Sequence, residues 1–209
     1  MKHIIKSPEP DFFIAWKKRR STRKWKRLKN PTKSRLRTSI VKEQGYICCY
    51  CMREIPDNHT ITIEHFYPKD PRKGYAHKVF DYQNLMAACH GGRKDPPPRV
   101  LHCDAIKSNF LPPPISPLDK NCQEFFGYTF TGRIVAQDQN PEAKATIRLL
   151  NLNSPRLVQQ RRAAIETWLE ELHEESNIEE EIEILEEKYK EKFIPFCTAI
   201  IYVLRHLED

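Results

Sequence analysis

The chain has 209 residues, 39% of them hydrophobic, with a formal net charge of +7 and a mean hydropathy of -0.68. That length fits one domain with extensions or two small ones, and the composition is that of a soluble protein with a core, which excludes a membrane-embedded chain. Met1-Lys2-His3-Ile4-Ile5-Lys6 lacks the apolar run of a signal peptide, and Phe193 to Leu204 is too short for a bilayer span and contains Pro195, so a cytoplasmic protein with no membrane partner is expected.

Residues 16–37 form a lysine- and arginine-rich block without an acid, including Arg19, Arg20, Arg23, Lys24 and Arg27, with Trp16 and Trp25 interleaved. A basic stripe of one sign suits phosphate backbones, and these five residues are expected to bind nucleic acid. A solvated face or a dock for an acidic protein is the plainer alternative. Phe12, Phe13 and Trp16 recur at helical spacing and anchor this segment. A helix is expected from Pro31, burying Leu36, Ile40 and Val41. Residues 1–43 thus read as a basic, partly helical extension.

The centre, 44–135, is rich in Cys, His, Pro and aromatic residues. Thr60 to Ile63 alternates β-branched residues and predicts a strand, and Asn84 to Ala88 predicts a second. Asp104 is expected to start a helix that continues through Asn109. The Gly91-Gly92 stretch up to Arg99 reads as a stiff, proline-rich surface loop, and Glu124 to Val135 as a β-hairpin. Residues 136–209 read as helical. Ser154 is expected to cap a helix with Pro155 in its first turn. Its apolar face runs Leu157, Ala164, Ile165, Trp168, Leu169 and Leu172. A second face runs Ile178, Ile182, Leu185 and Tyr189, and a last helix spans Phe193 to Leu207.

The seven cysteines are an odd number, and in a cytosolic setting their clustering favours metal over disulfides. Cys48-x2-Cys51 has the spacing of two thiolates gripping one Zn2+, and Cys89 and Cys103 supply a second pair. Cys49, His90 and His102 compete for those places, and buried free thiols are the plain alternative. Four protein ligands would make the zinc structural, with no coordination position left for water.

Among these cysteines lies an acid-His pair, Glu64-His65. Phosphodiester hydrolysis needs a base to activate water and a cation to stabilise phosphate charge. Imidazole suits the first task, and the carboxylates of Glu64 and Asp104 suit a hard cation such as Mg2+ or Mn2+. Neighbouring strand residues point to opposite faces, so Glu64 and His65 need a distorted strand end to serve one site. Taken singly, His65, Asn84 and Asp104 would read as a structural histidine, a turn residue and a helix cap.

The order Cys-x2-Cys, acid-His, Asp81-Tyr82-x-Asn84-Leu85, Cys89, Cys103-Asp104-x2-Lys107 resembles the HNH endonuclease family. The resemblance implies an α+β fold built on a ββα-metal finger with a structural zinc. It also implies catalytic roles by position: His65 as general base, Glu64 and Asp104 as ligands of the catalytic cation, and Asn84 orienting the base. Lys107 would be a phosphate contact on the finger helix. Asp104 departs from the usual His or Asn. Ile63 to Lys69, His102-Cys103-Asp104, Ile115 to Leu118 and Leu150 to Asn153 extend the resemblance to the PtuB family of the bacterial Septu antiphage system, which also supplies retron effectors. It implies nucleolytic cleavage of DNA or of an RNA such as tRNA. The implied partners are a PtuA-like ATPase and, in retrons, a reverse transcriptase with its RNA-DNA hybrid. The acidic helical tail is the expected docking region. A non-catalytic zinc protein, binding nucleic acid or serving as scaffold of an ATPase complex, is the rival reading.

Overall fold

A computed structural model describes residues 1–19, 24–96, 100–173 and 175–207. Strand β1 (Thr62–His65) pairs antiparallel with β2 (Leu85–Ala88), with Glu64 opposite Met86 and His65 opposite Leu85. All four β2 residues are buried. Helix α2 (Thr32–Glu43) lies against this strand, burying Leu36, Ile40 and Val41 as their spacing predicts. Ahead of it, α1 (Asp11–Lys18) buries Phe13. Residues of the first 43 positions, the centre and the tail join one hydrophobic cluster, which includes Met1, Ile4 and Phe13.

Strand β1 begins two residues later than the β-branched pattern suggests and runs through Glu64 and His65. Pairing with β2 overrides the low strand preference of these polar residues. Helix α3 (Asp104–Lys107) is shorter than expected. It ends where Ser108 takes a positive φ of 48° and turns the chain outward.

The hairpin is β3 (Phe126–Tyr128) with β4 (Ile134–Ala136). Helices α4 (Pro141–Leu149), α5 (Pro155–Glu171), α6 (Ile178–Glu186) and α7 (Cys197–Leu204) follow. Pro155 starts α5 as expected, but Ser154 makes no side-chain cap, and its Oγ is buried without a partner. Tyr189 lies beyond α6 and is 71% exposed, so it is no part of that helix's buried face. Within α5 a residue outside the apolar pattern, Arg161, is buried. It donates to the carbonyls of Gly132 (2.6 Å) and Leu152 (3.2 Å), tying the hairpin loop to the segment before α5.

That segment, Leu150 to Asn153, braces the centre. Leu150 O accepts from Cys103 N at 2.9 Å. Asn151 donates to Leu101 O, and Asn153 bonds both N–H and C=O of Ile134. Helix α7 is core: Cys197, Ala199, Ile200 and Leu204 are buried, and Phe196 N donates to Met52 O at 3.0 Å. Among the described residues, no helix is long and apolar enough to cross a membrane.

Candidate metal centre and adjoining cleft

Cys48 and Cys51 sit on a tight turn closed by Met52 N to Cys48 O (3.0 Å) and Cys48 N to Arg53 O (3.0 Å). Cys89 directly follows β2, and Cys103 directly precedes α3. The four sulfurs lie within 4.8 Å of one another, all buried. Cys51 and Cys89 sulfurs are 3.9 Å apart, close to the roughly 3.8 Å edge that a tetrahedron of 2.3 Å Zn–S bonds requires. Cys89 N–H donates to Cys48 Sγ at 3.3 Å, a contact that supports a thiolate. The donor set fits zinc, and the four thiols can hold one ion. All seven cysteines are free. Cys49, His90 and His102 fall outside the set; His102 Nδ1 instead lies 3.2 Å from Cys103 Sγ.

Lys107 of α3 bonds Glu64 and the His65 carbonyl and so holds the helix to β1 beside a cleft. Glu64, His65, Lys69, Arg93, Asp104 and Asn109 are among the residues lining a volume of about 280 Å3. All four residues of β1 border it, so Glu64 and His65 share the cleft although they are neighbours on the strand.

Glu64 is buried. Its Oε1 accepts from Tyr50 Oη at 2.8 Å and pairs with Lys107 Nζ at 2.7 Å. Burial pushes its carboxyl up, Lys107 pulls it back down, and a hydrogen bond shared with Asp104 adds to the rise. Asp104 Oδ2 pairs with Arg93 Nη1 at 3.1 Å. Lys107 is fully buried and also donates to His65 O at 2.9 Å. It is therefore not a phosphate contact. Its ammonium is spent inside the fold as the counter-ion of Glu64.

His65 Nε2 lies 3.1 Å from Val79 O. A carbonyl only accepts, so Nε2 carries the proton and Nδ1 holds the lone pair. Burial lowers this imidazole to about 4, with Lys69 adding to the effect, so the ring is neutral near pH 7. Trp25 packs edge-on against it, ring centroids 4.3 Å apart. Asn84 spends its whole amide on the loop between the strands: Nδ2 donates to Tyr67 O (3.1 Å) and Lys78 O (2.9 Å), and Oδ1 accepts from Tyr67 N (2.7 Å). It is a positioning residue, holding the loop that presents Val79 O to His65.

Arg19, Lys24 and Arg27 are exposed, whereas Arg20 and Arg23 lie outside the described residues. Trp16 and Trp25 both pack on Phe80, at 5.4 and 5.7 Å, and both remain partly exposed. Sequence reasoning missed Tyr50, Trp25, Lys69, Arg93 and the Val79 carbonyl. Tyr50 had a signal, its place between two ligand cysteines; a backbone carbonyl has none. No family model matches the sequence, and no curated protein matches it.

Proposed function

We propose that the chain is a metal-dependent HNH-type endonuclease that hydrolyses phosphodiester bonds in nucleic acid. The observation that carries this reading is a neutral His65, oriented by Val79 O, lining one cleft with Glu64 and Asp104. The order β1, β2, α3 around a four-cysteine cluster supports the reading of a ββα-metal finger. In this reading His65 Nδ1 takes a proton from the attacking water while Lys69 and Arg93 orient the phosphate at the cleft. Asp104 and Glu64 would hold a divalent cation such as Mg2+ or Mn2+, which supplies charge stabilisation on the phosphate oxygens. Both carboxyls line the cleft, and Glu64 retains Oε2 beyond the Tyr50 and Lys107 contacts, so the donor set fits a hard cation.

DNA is the substrate the family likeness favours, with tRNA or another RNA as the second arm of the test. Plasmid and tRNA are incubated with Mg2+ and either the parent chain or His65→Ala. Loss of cleavage in the variant is expected; equal cleavage by both would sink the mechanism.

One observation favours a second reading, a non-catalytic nucleic-acid-binding or scaffold subunit: Trp25 covers His65 and Lys107 occupies Glu64 Oε1. A PtuA-like ATPase is the partner both readings take, with the glutamates of α6 as the proposed contact. Reconstitution decides between them. His65-dependent cleavage that appears only in the activated complex supports the nuclease, and its absence under every activating condition supports the scaffold.

A further inference from the structure

Helix α1 carries a second face besides the buried Phe13. Phe12, Ala15, Trp16 and Arg19 follow the i, i+3, i+4, i+7 spacing of one helical stripe. A stripe of this kind ordinarily seats against a neighbouring element. Here it fronts Thr32 and Arg35 of α2 across an open groove of about 410 Å3. No acid lines the groove. Among the described residues neither Arg19 nor Arg35 forms an ion pair. Instead, the Arg35 guanidinium lies 4.2 Å over the Phe12 ring.

We propose that this groove is a stacking site for unpaired nucleobases of a single-stranded DNA or RNA segment, with Arg19 and Arg35 on its phosphates. Aromatic faces beside guanidinium groups are the chemistry that holds single strands, because every base has a π face and every link a negative charge. A paired duplex keeps its base faces stacked and offers the groove only phosphates. A chain of packed rings runs from the groove to His65: Trp16 on Phe80, Phe80 on Trp25, and Trp25 on His65. The role of the bound strand, delivery toward His65, rests on the nuclease reading; the binding itself does not.

The test measures anisotropy of labelled oligo(dT), oligo(U) and a duplex with equal phosphate number, using the full chain carrying His65→Ala without added divalent cation. Ala15 is exposed, so Ala15→Glu fills the groove with negative charge and leaves Phe13 in place. Single-strand binding is expected to weaken at least about fivefold, the smaller end of one lost base stack. Duplex binding should change by less than about twofold, since phosphate contacts elsewhere persist. Arg35→Glu gives the same contrast if Ala15→Glu fails to fold. Either oligonucleotide being preferred supports the proposal and assigns the strand as DNA or RNA. Unchanged single-strand binding, or equal weakening of single strand and duplex, overturns it. So does polyglutamate competing as well as oligo(dT) at matched charge, which would make the groove a site for an acidic peptide. His65-dependent cleavage that survives in Ala15→Glu with unchanged binding would refute the groove alone. Lost groove binding with no cleavage by any form would refute the nuclease alone.

Discussion

Lys107 Nζ sits 2.7 Å from Glu64 Oε1 with both side chains almost wholly excluded from solvent, and the same ammonium holds the carbonyl of His65. One cation thus ties α3 to the two strand-end residues that line the cleft. Removing either partner of a buried pair leaves the other charge without compensation. Lys107→Met should therefore destabilise the fold by about 3–5 kcal/mol, read from urea unfolding. The double variant Glu64→Gln/Lys107→Met should recover part of that loss, because neither charge then remains. A Lys107→Met protein that unfolds at the wild-type urea concentration would refute the role.

Trp25 packs edge-on against His65, which is only 4% exposed. Trp25→Ala should uncover the imidazole and speed its acylation by diethylpyrocarbonate, followed at His65 by peptide mass spectrometry. His59 is exposed, so its rate serves as the control. Equal His65 rates in both proteins would mean that the ring does not shield the imidazole.

The parts legible in the sequence were those that depend on local spacing. The buried stripe of α2, the hairpin and the four-cysteine set follow from periodicity and ligand spacing, and burial bears them out. Lys107 was legible as a helix residue but not in its direction. Lysine is rarely fully buried, and only the packing of α3 on β1 turns it inward to a carboxylate distant in sequence. Trp16 and Trp25 read as accompaniments of a basic stripe, yet they pack on Phe80, a partner that no local pattern announces. Arg161 interrupts the apolar face of α5 because two carbonyls from other segments need a donor there. In each miss a long-range polar or aromatic partner decided the side chain's environment.

Asn84 satisfies two carbonyls and one N–H of the β1–β2 loop. Asn84→Ala leaves all three without it, at a cost of about 2–4 kcal/mol for buried groups. Because the loop also carries Val79 O, the proposed nuclease activity should fall through misorientation of His65, lowering kcat more than it raises KM. Asn84→Asp keeps the acceptor for Tyr67 N but sets a carboxylate oxygen against the Tyr67 and Lys78 carbonyls, so it should not restore the lost stability. Wild-type stability and kcat in Asn84→Ala would show that the loop holds itself.

Gly91 has a φ of +61°, and a Cβ there would collide with His102 O and the Ala105 side chain. The clash falls on backbone that leads into Cys103, so it has little room to yield. Gly91→Ala is expected to cost at least about 2 kcal/mol, combining left-handed strain with overpacking. Gly74, also left-handed but with open space around it, is the matched control and should lose about 1 kcal/mol as alanine. Similar melting temperatures for the two variants would show that the collision is absorbed elsewhere.

The four thiols join a turn, a strand end and a helix start. Zinc binding to such a set is also folding free energy, since the unfolded chain holds no preformed site. Freshly purified protein should contain zinc, and Cys89→Ser should lose both the ion and the cooperative unfolding of the centre. Cys49→Ser is the discriminating control: Cys49 is buried but outside the set, its N–H on Ala87 O at 3.0 Å, so zinc content should be retained. Chelation should shift α3 away from β1 and separate Lys107 from Glu64, exposing the Lys107 amine to acetylation by a small reagent. Zinc-free protein with a well-folded centre, or a Cys49→Ser variant that loses zinc as Cys89→Ser does, would overturn this assignment of ligands.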